Sequence, residues 1–336
     1  MAQPNTFKQK NVFVSFSPTF NRQAAIGTAL ASAVLTARLP LPRENKPLPT
    51  RRLTREETRE CSGKYLIGRR ITSRLTLWTI QLDATAELVT GFLALALGVA
   101  AEPSGSAPAT HEITRSLSDQ LPATTFIIGA EDSDEPAELY RDMILNTLDI
   151  TAEVRGKVSL SASFIGSADV DTVADYDPPA CANIVPVYAN DCALLINAVN
   201  YTEALRSFAY RYNNNLLSGD DPFPFDAIDL VRLERGDETS LFQFSVYGTK
   251  ASALYTLAEA ETVVPIDLRI GTANEGARII SAGAQLTLQD TPVGYAGEAN
   301  RSVINLDATP FSVSGGLPDR VSSRLAADDR FLTVPA

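Results

Sequence analysis

Residues 150–165, ITAEVRGKVSLSASFI, constrain the fold more than any other stretch of the chain. Ile150, Ala152, Val154, Gly156, Val158, Leu160, Ala162 and Phe164 fall on one side of an extended backbone. Thr151, Glu153, Arg155, Lys157, Ser159, Ser161 and Ser163 fall on the other. Side chains alternate across a strand, so a period of two gives one apolar face and one wet face. Read as one strand at about 3.3 Å per residue, the run is roughly 50 Å long against a usual ~17–20 Å. Gly156 is the candidate bend or bulge that divides it. Such a strand suits a sheet that covers a core on one side and faces water, or a water-filled channel, on the other.

Shorter signals surround it. Residues 11–20 read as a strand ending near Pro18, and 24–37 as a small-residue helix passing into a strand at 33–39. Residues 40–62 hold Pro40, Pro42, Pro47 and Pro49 and then RRLTREETRE, a pattern that blocks helix and inner strand and reads as a long structureless connection. Residues 69–82 form a strand, and Asp83 is the expected N-cap of a helix at 84–97 with Leu88, Phe92, Leu95 and Ala96 as its apolar stripe and Gly98 as its stop. Strands follow at about 111–117, 124–130 and 139–149. The acidic, proline-ended run 167–180 is the expected domain boundary. Beyond it come strands at 193–200 and 204–213, the latter with Phe208, Tyr210 and Tyr212 spaced by two, and a turn at Asn213, Asn214 and Asn215. Residues 218–238 carry seven Asp or Glu and read as a solvated loop with one short strand at 228–233. A strand at 239–247, a helix at 250–259 capped by Thr249 and packed through Leu254, Leu257 and Ala258, and strands at 263–270, 278–288 and 301–308 complete the pattern. Ile280, Ala282, Ala284, Leu286 and Leu288 alternate onto one face, and the tail from Gly315 is polar and expected to be loose.

Charge is unevenly placed. Eleven Lys or Arg and four Glu between residues 38 and 74 give a local balance of +7, so a chain of net −11 carries −18 elsewhere. A net-acidic protein repels nucleic acid as a whole. The basic stretch therefore reads as an arm that docks on the acidic surface of another copy, in preference to a phosphate-binding segment. The contact residues are Arg43, Arg51, Arg52, Arg55 and Arg59, and the partner loop holds Asp220, Asp221, Asp226 and Asp229.

Signals for chemistry are weak. One histidine, His111, supports neither a zinc cluster nor an HExxH pair, and a Ser–His–Asp site through it lacks a GxSxG turn. No phosphate loop occurs, and Asp132 with Asp134, or Asp220 with Asp221, read as solvated acidic faces rather than calcium ligands. The expectation is no catalytic, cofactor or metal site. Cys61, Cys181 and Cys192 read as buried thiols of a reducing compartment, with a Cys181–Cys192 bridge as the minority alternative. No apolar run reaches the roughly 20 residues of a membrane span. The first residues, MAQPNTFKQK, lack the apolar core of a secretory signal, so assembly in the cytoplasm is expected.

The order strand, turn, short helix, then several strands occurs at 69–98 with 111–165, and again at 239–260 with 263–308. This is a repeat of pattern rather than of residues, with two unrelated α+β units as the bland alternative. Two fused copies of one unit allow a ring of six units from three chains. The succession GKYLIGRRITSRLTLWTIQ, LALALG, HEITRSLSDQLPATTFII, ELYRDMILNTLDITAEVRGKVSLSASFIG, LRSFAYRYNNNL, VRLERGDETSLFQF, VVPIDLRI and NRSVINLDATPF resembles the tail tube (major tail) proteins of long-tailed bacteriophages, of the two-domain type of about 300 residues.

That resemblance implies a mainly β (α+β) fold of two tandem β-sandwich or half-barrel units, each with a short flanking helix. The units are 1–175, with the basic arm at 38–62, and 176–314, followed by a tail at 315–336. It implies a structural, non-enzymatic virion protein of a siphovirus-like tail. Trimeric pseudo-hexameric rings, or hexamers, stack into a hollow tube for genome ejection. The implied partners are further copies, a tape measure protein, tail terminator and distal tail proteins, and double-stranded DNA that passes without specific binding. No membrane is involved. Glu153, Arg155, Lys157, Ser159, Ser161 and Ser163 are the expected channel-forming residues. The competing readings are an all-β hydrolase or carbohydrate-binding module, and a secretion-tube or adhesin component of related fold.

Overall fold

The computed structural model of the 336-residue chain describes residues 12–41, 48–59, 66–101, 103–105, 108–117, 121–130, 136–180, 185–216, 233, 235–296, 301–313 and 317–325. It is mainly β, with strands β1 (Val12–Phe16), β2 (Ala37–Arg38), β3 (Thr50–Arg59) and β4 (Leu66–Asp83), then helix α1 (Ala86–Leu97). Next come β5 (Gly98–Ala100), β6 (Ala109–Arg115), β7 (Ala123–Ala130), β8 (Ala137–Glu153), β9 (Ser159–Ser167) and β10 (Val170–Val173). After these run β11 (Ala193–Ile196), β12 (Val199–Asn200), β13 (Leu205–Asn213), β14 (Thr239–Tyr247), helix α2 (Ala253–Glu259), β15 (Val263–Gly271), β16 (Gly276–Ala296), β17 (Arg301–Pro310) and β18 (Arg320–Leu325).

The strand pairings repeat. In the first set β1 joins β2 and β7, β7 joins β8, β8 joins β9 and β10, and β4 joins β9 and β3. In the second set β11 joins β12 and β15, β15 joins β16, β16 joins β17 and β18, and β14 joins β17 and β13. All are antiparallel. Two ladders join the sets, β8 with β13 and β6 with β18. The acidic run at 167–180 therefore does not end the sheet.

The run 150–165 is a hairpin, not one long strand. Gly156 N–H donates to Glu153 O at 2.9 Å and Arg155 adopts φ +64°, which closes the chain between β8 and β9. Ile150 stands opposite Leu160, so parity survives the turn. Ile150, Ala152, Val158, Leu160, Ala162 and Phe164 are buried, whereas Val154 in the turn is 48 % exposed.

Other expectations are corrected in the same way. Residues 24–37 form turns and one 3-10 turn at Ser32–Val34, with Ala37–Arg38 as strand. RRLTREETR is strand β3, because each of its residues finds a ladder partner on the long β4. The cap of α1 is Thr85, whose Oγ1 accepts from Leu88 N–H at 3.1 Å, since Ala84 N–H still donates to Val158 O across the sheet. Gly98, at φ +94°, is the expected stop. The helix is buried all round except at Glu87, as a helix apolar on every face must be. Ser252, not Thr249, caps α2. In β16, Ala277 and Ile279 face the core, then a bulge moves the core side to Ala284 and Leu286. Ile280 and Ala282 are therefore off that face. The tail is not loose over 320–325: β18 lies between β16 and β6 with Val321 and Leu325 buried.

One aromatic cluster fills the core under α1. Trp78 and Phe164 meet Phe126 edge-on at 5.0 and 5.3 Å, and Phe92 lies 5.9 Å from Phe164. Phe20 rests on the helix at Gly91, where an added Cβ would lie 2.2 Å from its ring. Cys192 is a buried free thiol, its pKa pushed up to about 11 by burial. Cys61 and Cys181 lie outside the described residues, as do Asp132 and Asp134 and all but Leu233 of the strand expected at 228–233.

Candidate channel wall and assembly edges

Seven strands lie side by side in the order β4, β9, β8, β13, β14, β17 and β16. One face of this wall is the core. Register places the other side chains in rows across the strands. One row runs Asp83, Ser159, Thr151, Ala209, Gln243, Asp307 and Thr287, and the next begins Gln81, Ser161, Asp149, Arg211 and Leu241. Hydroxyls and amides tie neighbouring strands on this face. Thr147 and Ser163 share a hydrogen bond at 2.5 Å, Gln243 Nε2 donates to Asp307 Oδ1 at 3.0 Å, and Ser245 Oγ donates to Asn305 Oδ1 at 2.9 Å. On this face Arg211 lies 3.7 Å from Asp149. Partial burial raises the Asp149 pKa, and Arg211 opposes that rise.

The expected channel residues divide between wall and rim. Ser159, Ser161 and Ser163 stand on the wet face of β9. Glu153 ends β8, and Arg155 and Lys157 occupy the hairpin turn, where Lys157 Nζ contacts Asp83 Oδ2 at 2.5 Å. A concavity of about 690 Å³, part polar and part apolar, opens here, lined by Thr151, Glu153, Lys157, Arg206, Phe208 and Asn305 among others. At the opposite end the wet side gives way to a small apolar cluster of Leu75, Ile144 and Ile165 under Leu121, Leu216 and Leu233.

The wall has two bare edges among the described residues. The ladder of β4 with β9 stops at Leu75, so residues 66–74 pair with β3 as a two-stranded ribbon. Arg51 and Arg52 face Thr76 and Leu75 at the wall's edge and Arg55 lies on the ribbon, all three exposed, and Arg59 ends β3. Arg43 lies outside the described residues, and so do Asp220, Asp221, Asp226 and Asp229. The attachment points of that acidic segment are pinned: Leu216 N–H donates to Asn146 Oδ1 at 2.9 Å, and Gly236 N–H to Asn214 O at 3.2 Å. They sit at the same end of the wall as the ribbon. The second edge is residues 287–296 of β16, which pair with β17 alone.

A buried polar cluster unites the two sets and was hidden from sequence reasoning. Arg115 Nε donates to Asp319 Oδ1 at 2.5 Å, its Nη2 to Ser240 Oγ at 2.6 Å, and its Nη1 lies 3.0 Å from Glu238 Oε1. Tyr210 and Tyr212 donate to Asp319 at 2.9 Å and to Glu238 at 2.5 Å. Arg235 bonds Glu238 and donates to Ser116 O at 2.9 Å. Burial alone would lower the Arg115 pKa, but the hydrogen bond and charge of Asp319 hold it above the ordinary range. Burial lifts both tyrosines, so they stay neutral donors. Burial would also raise Glu238, but the Tyr212 hydroxyl and Arg115 bring it below its usual value. The one available signal was that Tyr210 and Tyr212 alternate into the core, where a buried hydroxyl requires a partner. His111 is buried in the β6–β18 ladder opposite Ser323. Among the described residues no group of three or more His, Cys, Asp or Glu is placed to hold a metal, and no helix is long and apolar enough to cross a membrane.

Compared with known proteins, residues 22–310 match the family model described as phage tail tube protein. No curated protein matches the chain.

Proposed function

The chain belongs to the phage tail tube protein family, a structural component of bacteriophage tails, and on that premise we propose that three copies join edge to edge into a ring of six repeated units and that rings stack into the hollow tube. The wet face of the seven-strand wall lines the lumen. The observation that carries this reading is the repeated set of pairings, which builds one continuous antiparallel wall with a single wet face and, among the described residues, leaves an edge bare at each side. Closing the wall on itself removes the edges that an isolated sheet exposes.

The lining suits passage of double-stranded DNA. Attraction to phosphate requires free Lys and Arg. On this face Arg211 is beside Asp149 and Lys157 beside Asp83, while Asp307 and the serines and threonines supply an anion and neutral hydrogen-bonding groups. The protein acts as a wall and not as an enzyme. Its working place is the tail of the virion, of the long non-enzymatic conduit kind. Its partners there are a tape measure protein within the growing tube and the terminator and distal tail proteins at its ends. The basic arm at 38–62, through Arg43, Arg51, Arg52, Arg55 and Arg59, is the contact between copies, with Asp220, Asp221, Asp226 and Asp229 as its acidic counterpart.

Electron microscopy of the purified protein, with and without tube fragments as seeds, tests the reading. Hollow tubes with threefold rings are expected, and only monomers under both conditions would overturn it. Changing Arg51, Arg52, Arg55 and Arg59 together to Glu is expected to abolish stacking while circular dichroism stays that of the parent. Normal tubes from that variant would remove the ribbon from the contact.

A further inference from the structure

One junction inside the chain has no counterpart at its ends. β13 lays its outer edge along the end of β8, with Ala209 opposite Thr151, Arg211 opposite Asp149 and Asn213 opposite Thr147. In the repeat β3 corresponds to β13 and β16 to β8. Among the described residues β3 has only β4 beside it, and 287–296 of β16 have only β17. We propose that residues 48–52 of one copy pair antiparallel with residues 287–294 of a second copy, repeating the β13–β8 junction between chains, with Leu48 opposite Gly294. This rests on the tube reading above and adds to it the edge and the register.

The register follows from the backbone. β4 and β14 end alike: Ala84 N–H donates to Val158 O at 2.9 Å, and Gly248 N–H donates to Ser302 O at 3.1 Å. Matching these ends sets Leu82 on Val246, Ile80 on Phe244 and Trp78 on Phe242, all buried. Thr151 faces Ser159, the residue after Val158, and Gly294 faces Val303, the residue after Ser302. Gly294 is thus the counterpart of Thr151. Ala209 faces Gln243, whose counterpart is Thr79. Thr50 faces Leu77, so continuing that ladder by two residues brings Leu48 to Thr79 and makes it the counterpart of Ala209.

The two edges also carry uncovered apolar side chains. Leu48 is 53 % exposed and Tyr295 76 % exposed. A strand from a sister chain covers both and satisfies the bare backbone groups of both edges. The irregularity in β16 between Leu288 and Val293 divides the new ladder, so Leu48 and Gly294 lie on the rim side of it.

The test is a chain carrying Leu48→Cys and Gly294→Cys. A Cβ at Gly294 meets Val303 Cγ2 at 3.4 Å and Asn305 Nδ2 at 3.7 Å, ordinary contacts, so the substitution fits. Facing residues of an antiparallel pair lie about 4.5–5.5 Å apart at Cα, within disulfide range. Tubes of this variant, oxidised and run without reductant beside the parent chain as control for native cysteines, are expected to give covalent trimers. Mixed tubes of the two single variants are expected to give covalent dimers and nothing larger. Tubes that form but give no bands beyond the parent's overturn the edge pairing and leave the tube reading standing. Failure of the parent itself to make rings or tubes overturns both.

Discussion

Replacing Asp319 by Ala should unfasten the tail strand from both repeats at once. The Asp319 side chain is 1 % exposed and that of Arg115 is 5 % exposed, so neither charge is compensated by water. Breaking a buried ion pair by removing one partner costs about 3–5 kcal/mol, because the other charge is left buried. Glu238, 3.0 Å from Arg115 and partly exposed, still neutralises some of that charge, which places the cost near the lower bound, ~3 kcal/mol. The Tyr210 hydroxyl also loses its acceptor, a further cost of about 1–3 kcal/mol that overlaps the first. The total, about 4 kcal/mol, is a large part of the ~5–15 kcal/mol by which domains are stable. Equilibrium unfolding in urea measures it as a lower midpoint at unchanged slope. The Arg115→Met, Asp319→Leu double variant should recover part of the loss, since no unpaired buried cation remains, while the Tyr210 hydroxyl still lacks its acceptor. An Asp319→Ala protein within about 1 kcal/mol of the parent would refute the reasoning, and so would a double variant no better than the single one.

Two further outcomes are expected. Asp142 is buried at φ +59° in β8, and its Oδ1 accepts from Gln23 Nε2 at 2.9 Å and from Gly27 N–H at 2.8 Å. Burial raises its pKa, so its contribution is most favourable below the ordinary 3.8 and is lost as pH rises through the folded value. An amide in place of the carboxylate keeps the accepting oxygen without the charge, so Asp142→Asn should match or exceed the parent in thermal stability at pH 7 and lose that advantage near pH 3. Gly91→Ala should cost about 1–3 kcal/mol by driving a methyl group into the Phe20 ring, and Phe20→Leu in the same chain should return part of it in thermal melts.

Periodicity made much of the wall legible. The alternation at 150–165 identified both arms of the β8–β9 hairpin and their wet residues, because opposite residues keep their face through the turn. What it missed is that a closed turn and a straight strand have the same parity, so Gly156 and Arg155 had to be seen in place. The proline- and arginine-rich arm read as structureless because its charge hid a strand whose stability comes from β4, a partner further along the chain. The bulge in β16 defeated strict alternation at Ile280 and Ala282. Asp319 and Arg115 carried no local signature, since each is ordinary until a fold brings residues far apart in sequence together.

The position of β18 makes the sheet wait for a strand that lies far along the chain. β6 leaves the ribosome about 200 residues before the strand that will cover its edge, a wait of roughly 10–40 s at ~5–20 residues per second. During that interval the edge of β6 lacks the partner that the folded chain gives it. A product cut short before that segment lacks the strand between β16 and β6 and keeps an open seam there.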